Sequence, residues 1–325
     1  MKHQFFFTLL LLLLVSNTYS QTLLWPVGVT GFDLIGVVAP IDNYQQTHFQ
    51  NPALLVRGNH KLDAFATHST QSSVGFQTIM AGSMITFKTN NAIGVGLNRV
   101  FLEKGAEHYR LTAIPLSYAR NLYKNKWMGF SAGLNLNILH HDIESTGGIP
   151  VQVSNRNETG LTGGFGLHGY RIFPIKEKEI LIINAGFSIN DIGSNMSSFN
   201  STFHTTMRVG GLARWQKIFS NGNSINLDGA YQYDKHLELP STLYYHKVGG
   251  EFRYVFEAIS TSIATKGGFV WEMVEGNTLY RYNTFGGRVK YKNIYLDVSY
   301  LPDVVHRARR NSSWNLGIGY QKSLN

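Results

Sequence analysis

The 325-residue chain contains no cysteine and few charged residues. Without cysteine the protein has no disulfides and no thiolate metal sites, although this absence does not identify a compartment. Aspartate, glutamate, lysine and arginine make up 15% of the sequence, against roughly 25% in an average domain. A lipid-facing surface would explain the deficit, because charge there is costly. We do not expect a helical membrane protein, since no part of the chain after residue 20 has the ~20 consecutive apolar residues that a spanning helix needs.

What the sequence has instead is a regular alternation of apolar and polar residues. Residues 294–300 place isoleucine, leucine, valine and tyrosine at even positions, and tyrosine, aspartate and serine at odd positions. Residues 314–321 alternate tryptophan, leucine, isoleucine and tyrosine with asparagine, glycine and glutamine. Successive side chains of a strand point to opposite faces, so each run predicts a strand with one apolar and one polar face.

Fourteen segments, give or take two, have this character between turn signals. They are residues 61–69, 77–88, 92–101, 108–122, 127–140, 161–173, 180–191, 202–217, 224–234, 242–255, 258–271, 279–291, 293–301 and 312–322. Among them, 61–69, 77–88 and 258–271 alternate only weakly.

The connections between these segments alternate in length. Short turns are expected at 89–91, 124–126, 220–223 and 291–293, and long loops at 102–107, 142–160, 193–201 and 302–311. This is the pattern of outer-membrane barrels, with short turns on the periplasmic side. Unpaired backbone groups in lipid cost several kcal/mol each, so such a sheet must close. We therefore predict an all-β fold, a transmembrane antiparallel β-barrel of about 14 strands, over residues 59–325.

Aromatic residues lie near the ends of several predicted strands, which suits a girdle at the membrane interfaces. They are Trp127, Tyr170, Trp215, Tyr244, Tyr254, Trp271, Tyr291 and Trp314.

Two regions precede the barrel. Residues 1–20 have a basic start, an apolar core and a small polar end, which predicts a signal peptide cleaved after Ser20. Residues 21–58 do not alternate and contain three prolines, which argues against a central strand. We expect an irregular segment in or under the lumen, with Asn51, Pro52 and Ala53 as a possible plug motif.

The sequence offers little for catalysis or cofactor binding. His140 and His141 precede Asp142, but adjacent residues of a strand face opposite ways, so we expect no metal site. The glycines of 163–166 are not followed by a helix pattern, which excludes a dinucleotide loop. No nucleophile, base or carboxylate pair stands out, so we expect neither an enzyme nor a bound cofactor.

The net charge of +9 comes from scattered basic residues rather than a patch, which argues against nucleic acid as a partner. The phosphates of membrane lipids are a better match for these scattered basic residues. Arg307, Arg309 and Arg310 follow His306 in a predicted outer loop. They could contact lipopolysaccharide through charge-assisted bonds to its phosphates, although a solvated loop fits them equally well.

Three stretches resemble a known family. They are Asn51-Pro52-Ala53, residues 114–120 with 129–143, and the C-terminal residues 249–252, 276–291 and 296–301. Together they resemble the outer-membrane barrels of Bacteroidetes that include PorV and PorQ of the type IX secretion system. Those barrels are relatives of the FadL-type channels, and the PorP/SprF group is similar. The chain departs from the PorV pattern before Asn51, where Gly31-Phe32-Asp33 replaces the expected glycine-methionine-glycine run.

The resemblance implies a 14-stranded barrel with an N-terminal segment in its lumen, in the outer membrane of a Gram-negative bacterium of the Bacteroidetes. It implies a non-enzymatic subunit of an assembly that binds or hands on secreted or surface proteins. Its partners would be outer-membrane lipid, lipopolysaccharide and other outer-membrane or secreted proteins. The alternative is FadL-like transport of hydrophobic small molecules. A phospholipase or protease barrel is a third possibility, for which no catalytic residues can be assigned.

Overall fold

The segments in which apolar and polar residues alternate form the strands of this protein. The computed structural model describes residues 50–56, 60–71, 76–87, 90–104, 107–145, 156–193, 205–237, 243–274, 277–306 and 309–323. The predicted signal peptide and most of the predicted 21–58 segment lie outside the described residues.

All fourteen predicted segments are strands. They are β1 (His60–Gln71), β2 (Phe76–Phe87), β3 (Asn91–Lys104), β4 (Glu107–Lys124), β5 (Met128–Ser145), β6 (Arg156–Lys176), β7 (Glu179–Gly193), β8 (Thr206–Ile218), β9 (Ser224–His236), β10 (Leu243–Phe256), β11 (Thr261–Val274), β12 (Asn277–Tyr291), β13 (Ile294–His306) and β14 (Arg309–Ser323).

Each strand pairs antiparallel with its neighbours in sequence, and β1 pairs with β14 to close the ring. The predicted barrel and its strand number are confirmed. Closure removes the sheet edges, whose unpaired backbone groups could not be left in lipid. Among the described residues, none belongs to a helix that is long and apolar enough to cross a bilayer.

The two faces of the wall differ as the alternation predicts. Outward side chains at mid-height are apolar and exposed, including Leu116, Leu134, Leu296 and Leu316. Inward side chains are mainly polar and buried, including Ser117, Asn135, Asp297 and Asn315. The outer face is therefore suited to lipid and the inner face to a polar lumen.

Connections at one rim, the short-turn rim, are consistently short. They span 88–90, 125–127, 177–178, 219–223, 257–260 and 292–293. At the other rim, the loop rim, only 146–155 and 194–205 approach the predicted loop lengths. The long loops expected at 102–107 and 302–311 are wrong, because pairing with neighbouring strands extends β3 to Lys104, β13 to His306 and β14 back to Arg309.

The wall is longest and most completely paired at β4–β6. These strands have 18, 18 and 21 residues, against 12 in β1 and β2. Pairing between β4 and β5 runs from Lys124 opposite Gly129 to Glu107 opposite Ser145.

On the opposite side of the ring, pairing between β12 and β13 is incomplete. It begins at the short turn with Tyr291 opposite Ile294 and stops at Phe285 opposite Tyr300. Beyond that point, the pairs that β12 forms over 277–284 are with β11 alone, and those that β13 forms, at Leu301 and over 304–306, are with β14 alone. We call this unpaired part of the wall the notch. It runs for about 20 Å along β13 at ~3.3 Å per residue.

The position of Pro302 in the sequence explains why pairing stops at the notch. Pro302 follows the last paired positions and has no backbone N–H to donate to β12. Proline is tolerated in sheets at unpaired edges and bulges. The pairing of β13 with β14 also shifts register between Leu301 and Val304. The wall therefore loses one ladder and distorts another at the same place.

Candidate functional site: the lumen and the notch

The lumen contains a short stretch of chain that precedes the barrel. Residues 50–56, here called the lumen segment, include a 3-10 helix from Pro52 to Val56. All seven residues are buried. They contact the inner faces of β2 to β6. The structure thus places Asn51, Pro52 and Ala53 inside the barrel, against the wall formed by the longest strands.

Two glycines of that wall make room for the lumen segment. A Cβ atom on Gly133 would lie 2.5 Å from the carbonyl carbon of Pro52. A Cβ on Gly166 would overlap the carboxamide oxygen of Asn51. Glycine in a strand often marks a close approach of another backbone, and here the backbone that approaches is the lumen segment.

Hydrogen bonds fix the N-terminal half of the segment. The Asn51 amide donates to the Leu167 carbonyl at 3.2 Å, and its side-chain oxygen accepts from the Ala53 N–H at 3.2 Å. Ser131 donates its hydroxyl to the Ala53 carbonyl at 2.9 Å. Asn190 donates to the Gln50 carbonyl at 2.7 Å. Side chains of the wall thereby satisfy backbone groups that have no sheet partner.

Apolar packing completes the contact toward the short-turn rim. Leu55 and Val56 form a buried cluster with Met84, Ala92 and Ala119 of β2, β3 and β4. Small residues at 92 and 119 leave space that the two larger side chains fill.

The inner face of β10–β13 carries charge instead. Arg288 donates to both oxygens of Asp297, from Nε at 2.8 Å and from Nη2 at 2.6 Å. Lys266 donates to Asp297 at 3.1 Å and lies 3.9 Å from Glu251. Arg253 pairs with the other Glu251 oxygen. We call these five residues the ion network. All but Arg253 are buried, so each charge depends on its partners.

Further ion pairs line the same half of the barrel. Arg214 of β8 holds Asp228 of β9 with two bonds of 2.8 and 2.6 Å. Nearer the loop rim, Asp234 accepts from Lys247 at 2.6 Å. At the seam of the barrel, Gln321 accepts from Lys290 at 2.9 Å and donates to Asp63 at 3.1 Å. These two hydrogen bonds of Gln321 thus connect β12, β14 and β1.

One of the aromatic residues that the sequence singled out lies elsewhere than expected, whereas the two adjacent histidines lie as expected. Tyr170 was expected in the outer girdle, but its ring lies against Gly129 on the inner face. This follows from strand parity, which puts even residues of β6 inside. His140 is exposed and His141 buried, as expected for adjacent strand residues. Within the described ranges, no group of three or more histidine, aspartate or glutamate side chains is placed to hold a metal ion.

The predicted lipopolysaccharide contact is only partly covered. Arg307 lies outside the described residues, whereas Arg309 and Arg310 begin β14 rather than lying in a loop. Contact of these arginines with lipopolysaccharide stays a prediction.

The ion network and the notch were missed at the level of sequence. The network had a signal, because Glu251, Lys266, Arg288 and Asp297 all occupy the inward parity of their strands. The notch had one in Pro302, which interrupts an otherwise alternating segment.

Comparison with known proteins gives the fold a context. No family model matches the sequence, and no curated protein matches it. Solved structures, in contrast, match the fold of this chain. The CymD monoaromatic hydrocarbon channel is 13% identical, with 92% of this chain and 97% of that chain covered and a TM-score of 0.54. The toluene transporter TbuX of Ralstonia pickettii is 12% identical, with 96% and 100% covered and a TM-score of 0.50.

The toluene transporter TodX of Pseudomonas putida is 11% identical, with 95% of this chain and 100% of that chain covered and a TM-score of 0.50. These neighbours are outer-membrane barrels of the FadL family. They lend no support to the type IX secretion assignment, nor to an origin in the Bacteroidetes, both of which stay predictions. At such low identity the likeness concerns architecture, and the chain has the fold of a FadL-type outer-membrane barrel.

Proposed function

We propose that the protein is an outer-membrane channel that passes small hydrophobic molecules sideways through its wall. The apolar, exposed outer face supports a position in lipid, and the fold it shares with hydrocarbon channels supports the class of cargo. Short turns then face the periplasm and the loop rim faces outward. The observation that carries the proposal is the notch between β12 and β13.

The notch supports passage because it leaves backbone groups of β12 and β13 without a ladder partner. Residues 277–284 and 301–306 have no ladder partner across it. Unpaired strand backbone cannot face hydrocarbon without a cost of several kcal/mol per group, and it is tolerated where it borders water or a cavity. We therefore expect the notch to connect the lumen with the outer-leaflet side of the wall.

The short-turn half of the lumen opposes a straight route to the periplasm. The lumen segment covers the inner face of β2–β6, and the ion network occupies that of β10–β13. An apolar molecule gains nothing from charged groups and would disturb their mutual contacts. The unpaired wall is the route that avoids both obstacles.

Cross-linking tests this proposal directly, since the chain has no cysteine of its own. If the ladder continued past Phe285 and Tyr300, Arg281 would stand opposite Val304. We would make Arg281→Cys with Val304→Cys and bridge them with a bifunctional thiol reagent. The measured quantity is the uptake of radiolabelled toluene and n-heptane by Gram-negative cells that produce the barrel.

The matched control lies lower on the same two strands. Val289 and Leu296 are paired and both point outward, so Val289→Cys with Leu296→Cys can be bridged without touching the notch. Bridging at 281 and 304 should reduce uptake to that of cells without the barrel, while bridging at 289 and 296 should not. Equal uptake after both treatments would contradict the proposal, and co-purification with secreted proteins instead would favour the assembly role.

A further inference from the structure

The pairing of β6 with β7 contains a bulge at Gly164. The ladder shifts register between Gly163 and Phe165, so that Gly164 of β6 stands opposite two residues of β7. These two residues are Asn190 and Asp191, and Asp191 adopts a left-handed backbone conformation with a φ of 62°. Bulges and strained backbone of this kind are common beside functional sites.

Three oxygen atoms converge on Gly164. A Cβ atom on this glycine would lie 2.5 Å from Oδ1 of Asn135, 2.7 Å from the carbonyl oxygen of Ile189 and 2.8 Å from Oδ1 of Asn190. The glycine therefore leaves a space that these oxygens surround, here called the oxygen pocket. Asn135 is 6% exposed and Asn190 is 1% exposed, so both side chains are buried on the inner face of the wall.

The two side-chain oxygens of the pocket have no hydrogen-bond donor among the described residues. For Asn190 the orientation of the amide is fixed, because its Nδ2 donates to the Gln50 carbonyl at 2.7 Å and to the Ser188 hydroxyl at 3.2 Å. Rotating this amide would place an oxygen against the Gln50 carbonyl. The Asn190 oxygen must therefore face the pocket. Rotation of the Asn135 amide, which would turn its nitrogen into the pocket, is the competing arrangement.

We propose that the oxygen pocket binds a monovalent alkali cation, Na⁺ or K⁺. Buried oxygens without a donor are costly, and one cation satisfies several of them at once. The backbone carbonyl also qualifies, because its two lone pairs allow it to serve a ladder bond and a cation together. Neutral carbonyl oxygens coordinate K⁺ in channel filters, whereas Ca²⁺ sites depend largely on carboxylates. The three neutral oxygens of the pocket therefore favour a single positive charge.

A cation in the pocket would also hold the lumen segment in place. Asn190 contributes its oxygen to the pocket and its nitrogen to the main chain of Gln50. The side-chain oxygen of Gln50 is likewise buried without a donor among the described residues. A bound cation fixes the Asn190 amide and with it the start of the lumen segment. This role is independent of the molecules that the channel passes.

The reaction of a buried cysteine with a thiol reagent tests the proposal. Leu55 of the lumen segment is fully buried, so Leu55→Cys should react only when the segment opens. The rate would be measured in detergent micelles with NaCl, KCl or choline chloride at one ionic strength. At least one alkali salt should slow the reaction by a factor that rises with cation concentration, because the cation binds the closed form. The thermal unfolding midpoint of the wild-type barrel should rise in the same salt.

Variants of the pocket and their controls locate the effect. Asn135→Leu removes one oxygen and Gly164→Ala fills the pocket, so both should abolish the difference between alkali and choline salts. Asn137→Leu and Gly163→Ala are the matched controls and should retain it. Asn137 is buried on the same strand but donates to Thr162 at 3.1 Å, and a Cβ on Gly163 would have no atom closer than 3.4 Å.

A change of charge provides a test that a purely structural role would not pass. Asn135→Asp adds a full negative charge to the pocket without changing the shape of the side chain. Ca²⁺ should then slow the reaction at concentrations that leave the wild-type rate unchanged. Since this variant keeps the size of the side chain, it carries the test if Asn135→Leu and Gly164→Ala do not fold.

Three results would overturn the proposal. Equal rates in all three salts would favour the rotated Asn135 amide, which needs no cation. A difference between alkali and choline salts that persisted in both Asn135→Leu and Gly164→Ala would mean that the cation binds elsewhere. The absence of a Ca²⁺ response in Asn135→Asp would exclude this residue as a ligand. None of these results bears on sideways passage, which bridging at residues 281 and 304 tests.

Discussion

The wall of β4–β6 and the wall of β12–β13 face each other across the barrel and differ in pairing, lining and support. The first is long, paired over most of its length and contacted on its inner face by the lumen segment. The second loses its pairing at Phe285 and Tyr300 and bears the ion network on its inner face. One half of the barrel is stabilised by another piece of chain, and the other by charge.

This difference shows how a barrel can keep an interrupted wall. A strand pair without its full ladder needs other contacts to hold its register. Asp297 of β13 is bound to Arg288 of β12 and Lys266 of β11, so three strands are tied together below the notch. The ladders of the opposite wall extend over most of the length of its strands, with one register shift between Asn121 and Tyr123. Four kinds of variant test this contrast between the two walls.

The largest effect should come from the ion network. Asp297→Ala leaves Arg288 and Lys266 buried without their shared partner, which typically costs about 3–5 kcal/mol. The free energy of unfolding in detergent micelles measures the loss. The control on the other wall is Asp142→Ala, since the Arg110–Asp142 pair is partly exposed with 3.9 Å between its atoms, and such a pair contributes ~0–1 kcal/mol. Equal losses would refute the contrast between the walls.

Overpacking under the lumen segment should have the next effect. Gly166→Ala places a Cβ where the Asn51 side chain lies, which should cost about 1–3 kcal/mol in a well-packed site. Gly229→Ala is the matched control, because its Cβ would meet no atom within 4 Å. Thermal unfolding midpoints compare the two. A Gly229 variant as unstable as the Gly166 variant would show that contact with the segment is not the cause.

Removing one hydrogen bond to the segment should have a smaller effect. Ser131→Ala and Asn190→Ala each remove a donor to a lumen-segment carbonyl, at about 0.5–1.5 kcal/mol. The segment should open more often, so a cysteine at Leu55→Cys should react faster with a thiol reagent. Asn223→Ala breaks comparable bonds in the β8–β9 turn and should leave that rate unchanged. A rate unaffected by both Ser131 and Asn190 variants would mean that neither bond holds the segment.

The smallest change in stability is expected at Pro302. Pro302→Thr restores a backbone donor and a residue that favours strands. The β12–β13 ladder should then extend past Tyr300, which amide hydrogen exchange of residues 301–304 would detect as slower exchange. Uptake of toluene should fall with it. Unchanged exchange would show that something other than the missing donor keeps the notch unpaired.

The sequence was sufficient to predict the strands, including the weakly alternating segment 258–271. Its start was wrong by three residues, because 257–259 form a short 3-10 turn. Period-2 alternation is a local property, so it survives without knowledge of neighbours. Loop lengths were less predictable, because Glu103 and Lys104 have the composition of a loop, yet pairing with β4 makes them part of the sheet.

The site required information that no local pattern contains. Asn51 was singled out, but its partner Leu167 is more than a hundred residues away in the chain. The same holds for Asn190, which donates to the neighbouring Gln50 carbonyl. Lys266 and Asp297 lie on strands separated by β12, so only the register of two ladders shows that they meet. The notch is likewise a property of a strand pair, and Pro302 marks its position without specifying its extent.

Photolabelling tests sideways passage through the notch most directly. A diazirine derivative of toluene would be applied to cells producing the barrel, and labelled peptides would be mapped by mass spectrometry. Passage through the notch predicts labels on residues 277–285 and 300–306, with few on the opposite strands β4–β6. Labels confined to the short turns at 257–260 and 292–293, with none at the notch, would contradict it.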